Sequence, residues 1–168
     1  AAGCTPRIFL ELSITLSMLR RSNVVILGAP DYSAAVARYQ QNCPWRVNYL
    51  EAIVGSHDDK EPRYAMKLGQ QQRITEVFGL ITVLPGEAAA IPHKVIVFSG
   101  VNSAGAQAAS EFFSSPEHLL ELKREFKKAG YDGFPPAYQV VVRARTEDSI
   151  LLNYSYEALK TFQPPQVY

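Results

Sequence analysis

Cysteine is scarce in this chain. Cys4 and Cys43 are the only two among 168 residues, so no disulfide framework staples the fold, and unpaired thiols are the expectation for an α/β chain. No Cys-x-x-Cys pair exists, and His57, His93 and His118 do not fall into ligand spacing, which argues against a structural zinc site. An excess of charge is also missing. Seventeen basic and sixteen acidic residues leave a net charge of +1, so nothing in the balance draws nucleic acid or an anionic membrane. The tightest basic cluster, Lys123, Arg124, Lys127 and Lys128, alternates with Glu117, Glu121 and Glu125 and reads as the solvated face of a helix. Long apolar runs are absent as well. Ile8–Leu19 is interrupted by Glu11, Ser13, Thr15 and Ser17 and is too short to span a bilayer, so it predicts an amphipathic helix. The chain opens with Ala1-Ala2-Gly3-Cys4 rather than Met, the expectation being a processed product or a fragment.

Catalytic motifs fail on their key residues. Gly100-Val-Asn-Ser-Ala-Gly105 has the glycine spacing of a phosphate-binding loop, but Ala106 and Gln107 stand where that motif needs Lys and Ser or Thr. A nucleoside triphosphatase is thereby excluded. Ser99 follows a strand and precedes a glycine, yet Phe98-Ser99-Gly100-Val101 is not the elbow that exposes a nucleophile. His57-Asp58-Asp59 reads as a solvated loop, since neighbouring side chains there diverge. Tyr131, Phe134, Tyr138, Tyr154 and Tyr156 are explained by core and hairpin packing.

What is present is organisation. Val95–Phe98 is a continuous apolar run, followed by Gly100, Gly105 and an alanine-rich helix over Ser103–Ser114. Asn23–Leu27 repeats the theme as a buried strand that ends at Gly28, with Asp31 as N-cap of a helix through Tyr39. Trp45–Val54 reads as extended, and Gln70–Arg73 as a polar run. Val77–Leu84 is a third strand, closed by Pro85-Gly86. Ser115-Pro116 opens a further helix that stops at Gly130, and Tyr138–Arg145 and Ile150–Tyr156 form a hairpin. Two strand-glycine-helix units predict an α/β fold: a Rossmann-like three-layer sandwich, mostly parallel, with an antiparallel hairpin at its C-terminal edge. One domain over residues 1–168 is expected, with an N-terminal helix in 1–22 and a tail from 157.

In such a sheet both glycine loops lie at the strands' C-terminal edge, where ligands bind. The candidate binding residues are Gly28, Asp31, Ser33, Gly100, Asn102, Ser103 and Gly105. Asp31 suits a ribose or sugar hydroxyl; Ser33, Asn102 and Ser103 supply donors; backbone amides near Ser103–Ala106 suit a phosphate or carboxylate. The competing explanation is structural: the glycines serve a tight turn and close helix–sheet packing, and Asp31 is a cap.

The stretch Ser99-Gly100-Val-Asn-Ser-Ala-Gly105-Ala-Gln-Ala-Ala-Ser-Glu-Phe-Phe113, with Asn23–Gly28, Phe78–Leu84 and Tyr138–Arg143, resembles an uncharacterised α/β domain of acidobacterial proteins. That domain often follows a winged-helix DNA-binding domain and a membrane anchor. Ala106 replaces its usual Thr, and Pro30-Asp31 its usual Asn-containing loop. The resemblance spans residues 22–145 and implies a Rossmann-like sensor or regulatory module of unknown ligand, with no catalytic residue and no cofactor assigned.

The resulting expectation is a non-catalytic ligand-sensing or interaction domain that binds a small anionic or polar ligand at the Gly28/Gly100 loop edge. Two alternatives stand beside it. One is an enzyme acting on a nucleotide or phosphorylated metabolite, with Asp31 or His57 in the cleft and Glu111 a poorer candidate. The other is a structural or dimerising unit paired through the terminal hairpin. Direct nucleic-acid binding is not expected, and free thiols favour the cytoplasm over the periplasm.

Overall fold

The computed structural model describes residues 7–8, 18, 22–56, 62–86 and 92–164. Most of the amphipathic N-terminal stretch, Cys4, the His57-Asp58-Asp59 loop and the last four residues lie outside the described residues. The elements are, in order, β1 (Val24–Leu27), α1 (Ala34–Gln40), β2 (Trp45–Asn48), β3 (Ala52–Gly55), β4 (Tyr64–Ala65), β5 (Lys67–Leu68), β6 (Ile74–Pro85), β7 (Lys94–Gly100), α2 (Ser103–Ser114), α3 (Pro116–Lys128), β8 (Tyr138–Glu147) and β9 (Ile150–Thr161). The Gln70–Gln72 run is a 3-10 turn between β5 and β6.

The main sheet has the order β1-β7-β6-β8-β9, with β5 also paired to β6, and a second sheet has the order β2-β3-β4. Among the described strands only β1 and β7 are parallel neighbours; β7, β6, β8 and β9 pair antiparallel in succession. The expected Rossmann-like, mostly parallel sandwich is therefore not the fold. The reason is loop length. Residues 86–93 alone join β6 to β7, whereas a parallel pair needs a crossover of about a dozen residues or more. β6 thus enters as a hairpin partner between two strands, β7 and β8, that run the same way.

Both faces of the central strands of the main sheet are covered. β6 alternates between them: Val77, Ile81 and Val83 pack with Phe112 of α2, Leu122 and Phe126 of α3, and Val140 and Val142 of β8. Phe78 and Leu80 face the small sheet, against Trp45, Val47 and Ile53. Leu84, Val95 and Val97 meet Val36 and Tyr39 of α1. Double coverage explains why apolar residues fall on both faces of Val77–Leu84.

β1 differs from the buried strand its apolar sequence predicts. It is an edge strand, with Ile26 buried and Val25 and Leu27 58% and 68% exposed. α3 begins as expected, Ser115 capping and Pro116 in the first turn, and ends before Gly130 at φ +90°. The terminal hairpin forms as read, but β9 runs on through Thr161, into the stretch read as tail.

Cys43 is a buried free thiol whose Sγ donates to the Tyr39 carbonyl at 3.1 Å. Burial pushes it up from 9.0 to about 12. Tyr156 rises from 10.0 to about 12, through burial first and then the nearby Glu125, Tyr64, Glu121 and Glu157 charges. Unfolded, the two groups ionise near pH 9 and 10; folded, they hold their protons until about 12. Their contribution is thus complete below pH 9 and is lost as the pH rises toward 12. Urea midpoints should hold from pH 8 to about 9 and then fall toward pH 11, and Cys43→Ala should flatten the onset. A flat profile would contradict the burial of both groups.

Candidate functional site

The two loops singled out by the glycines are neighbours. β1 and β7 lie in register with Leu27 opposite Phe98, and the Gly28 N–H donates to the Phe98 carbonyl at 3.1 Å. Gly28 sits at φ +155°, and a Cβ there would meet Ser33 Cβ at 3.4 Å. Its conformation swings the chain off the sheet edge into the turn that leads to α1.

Within that turn the cap is Ser33, not Asp31. Ser33 is buried and its Oγ accepts the Val36 N–H at 3.1 Å. Asp31, released from the capping role, is exposed beside Pro30 and the β2–β3 turn.

After β7 the arrangement is structural. Asn102 is the N-cap of α2, its Oδ1 accepting the Gly105 N–H at 3.0 Å, while the Ala106 N–H reaches the Asn102 carbonyl at 3.1 Å. Those amides, expected to hold an anion, are engaged within the loop. Gly100 and Gly105 are both buried. A Cβ on Gly105 would lie 2.4 Å from the Phe78 carbonyl oxygen, and one on Gly100 2.2 Å from the Ala106 nitrogen. Here the glycines permit backbone-to-backbone contact of α2 with β6. Ser103 alone of this group is exposed.

The concavity at this edge lies on the other side of the β1–α1 turn. It is an open cleft of about 340 Å³ lined by Pro30, Asp31, Val47, Asn48, Tyr49 and Glu51. Of the seven expected binding residues, it takes Asp31 only; Gly28 and Ser33 shape the turn behind it, and Gly100, Asn102, Ser103 and Gly105 do not line it.

Its far wall is the three-residue turn Tyr49-Leu50-Glu51, between Asn48 and its partner Ala52. Leu50 stands at φ +59°, a left-handed conformation that costs a side-chain-bearing residue about 1–2 kcal/mol. The Glu51 N–H donates to the Asn48 carbonyl at 3.1 Å, and the Leu50 N–H to the Val101 carbonyl at 2.7 Å. The second bond ties the turn to the loop after β7. Tyr49 meets Tyr32 edge to face at 5.0 Å between ring centroids. Glu51 pairs with Arg63 at 3.7 Å, both side chains well exposed.

Tyr49, Leu50 and Glu51 belong to no motif. Trp45–Val54 contains neither glycine nor proline, so Asn48 is the one common turn residue type near the point where the hairpin reverses. Among the described residues no three His, Cys, Asp or Glu side chains converge for a metal, and no helix is long and apolar enough to cross a membrane. Edge pairing through the terminal hairpin meets two irregularities in the β8–β9 register, after Val141 and after Arg145; such bulges blunt an edge. No family model, curated protein or solved structure matches the chain.

Proposed function

We propose that this domain is a non-catalytic binding module whose ligand occupies the cleft between the β1–α1 turn and the β2–β3 turn. The observation that carries this reading is the cleft itself, set at the C-terminal edge of the parallel pair β1 and β7. Its volume falls in the small-molecule range.

Strain at Leu50 supports the assignment. A bulky residue is held left-handed by two backbone hydrogen bonds and left 54% exposed beside the cleft. Strain of this kind concentrates at sites kept for something other than stability. The non-catalytic part rests on the lining, in which, among the described residues, two carboxylates stand without a histidine, lysine or cysteine to share a proton-transfer task. The resemblance to the acidobacterial domain is compatible with a sensor whose occupancy biases an attached output domain.

A thermal-shift screen against nucleotides, sugar phosphates, sugars, carboxylates and amines tests the reading. A ligand at about 100 times its dissociation constant adds roughly 2.7 kcal/mol, or about 5–11 °C in a chain of this size. Asn48→Trp, which fills the cleft, should abolish the shift while the free variant still melts cooperatively. Hits that persist with the cleft filled, or a screen without any hit, would overturn it.

A further inference from the structure

Resting on the reading that this cleft is the binding site, we infer that its ligand is a small organic cation, carrying a primary ammonium or guanidinium group. The charge of the lining decides the class. Asp31 and Glu51 bring two carboxylates, Asn48 an amide and Tyr49 a phenol; among the described residues no lysine, arginine or histidine lines the cleft.

An anion placed there would face two like charges, and the loop after β7, whose Gly105 and Ala106 amides are bonded within it, supplies no residue to the cleft lining to offset them. A guanidinium or ammonium instead finds the acceptors it matches, the former in paired, parallel hydrogen bonds. Asp31 forms no ion pair with another described lysine or arginine. Glu51 has only Arg63, at 3.7 Å with both side chains about 60% exposed. An exposed pair of that length is weak, so an arriving cation displaces it at little cost.

The aromatic pair is the second, independent contribution. Tyr32 is 76% exposed yet holds an edge-to-face contact with Tyr49, a ring of the cleft wall. An edge-to-face pair keeps one ring face open, and an open tyrosine face attracts a cation within about 6 Å. Metal ions are a poorer fit, because among the described residues two carboxylates line the cleft and no third His, Cys, Asp or Glu side chain joins them.

The test uses the full chain with agmatine and spermidine as cations, glucose as a neutral polyol and glucose 6-phosphate as an anion, by titration calorimetry and thermal shift. Agmatine should bind, glucose 6-phosphate should not. Asp31→Asn and Glu51→Gln, each with an unchanged melting temperature in the free state, should each weaken agmatine at least 10-fold. Raising the salt from 0.05 to 0.5 M should weaken it comparably.

Glucose or its phosphate binding in a manner blocked by Asn48→Trp but indifferent to both carboxylate variants would leave the cleft as the site and end the cation assignment. Agmatine binding that survives Asp31→Asn, Glu51→Gln and Asn48→Trp is diffuse attraction to surface acids and overturns the inference. Absence of binding by any probe or screened compound removes the site and the inference together.

Discussion

Gly105→Ala should lower the melting temperature of this domain by roughly 6–12 °C, and Gly105→Val should leave little folded protein. Three glycines interlock where α2 crosses the sheet. A Cβ on Gly105 falls 2.4 Å from the Phe78 carbonyl oxygen and 2.9 Å from its carbon; one on Gly79 falls 2.1 Å from the Gly105 oxygen. One on Gly100 falls 2.2 Å from the Ala106 nitrogen. In each case the obstructing atom is backbone, which has no rotamer through which to withdraw. Relief requires α2 to lift from β6, and α2 carries Ala108, Ala109 and Phe112 into the main core. The cost belongs at the upper end of overpacking, about 3 kcal/mol, which in a chain of this length moves the midpoint by about 2–4 °C per kcal/mol. Gly133→Ala is the matched control, because a Cβ there meets nothing within 4 Å. A Gly105→Ala variant as stable as Gly133→Ala would refute the interlock. Gly105 is accordingly a poor position at which to probe ligand binding, since its substitution reports on folding first.

The same three glycines show what the sequence made legible and what it concealed. Gly100 and Gly105 are conspicuous because they bracket a polar loop, and that spacing suggests a phosphate cradle as readily as a packing contact. Their actual partner, Gly79, sits in the middle of the apolar strand Val77–Leu84 and belongs to no local pattern. The contact joins Gly105 to Phe78 and Gly79 across more than twenty residues, so only the fold reveals it. Local signals did specify local structure: Ser115-Pro116 starts α3, Gly130 ends it, and β8 and β9 form their hairpin. Strand direction is concealed because two strand-glycine-helix units suggest a parallel sheet, while the short β6–β7 connection makes that pair antiparallel. Asp31 and Ser33 are both capping residue types two positions apart, and the choice between them depends on how Gly28 turns the chain. The cleft was the least legible part, because its far wall reverses at Leu50, a residue type that seldom takes a left-handed conformation.

Gln139→Leu should cost about 3 kcal/mol, and the loss should be concentrated in the small sheet. Gln139 is completely buried in β8 and spends its whole amide on two neighbours. Its Oε1 accepts the Trp45 N–H at 2.8 Å, and its Nε2 donates to the Trp45 carbonyl at 2.8 Å and to Thr82 Oγ1 at 3.0 Å. One side chain thus satisfies both backbone groups of the first residue of β2, as a neighbouring strand would. Leucine keeps the approximate volume but leaves a buried N–H and a buried carbonyl unpaired, at about 1–3 kcal/mol each. The apolar contacts of Trp45 with Phe78, Leu80 and Val141 remain, so β2 is loosened rather than expelled. Gln139→Glu separates shape from hydrogen bonding: the carboxylate still accepts from Trp45 but no longer donates to its carbonyl. Amide exchange resolves the location. Amides of β2 and β3 should exchange much faster in Gln139→Leu, while those at the centre of β6 keep protection in step with global stability. Uniform acceleration across β2, β3 and β6 would mean that the small sheet does not open on its own. Because β2 and its turn supply Val47, Asn48, Tyr49 and Glu51 to the cleft, the same variant should weaken any ligand bound there, although Gln139 does not line the cleft. That coupling would make the glutamine a positioning residue: it fixes the wall from which Glu51 and Tyr49 line the cleft.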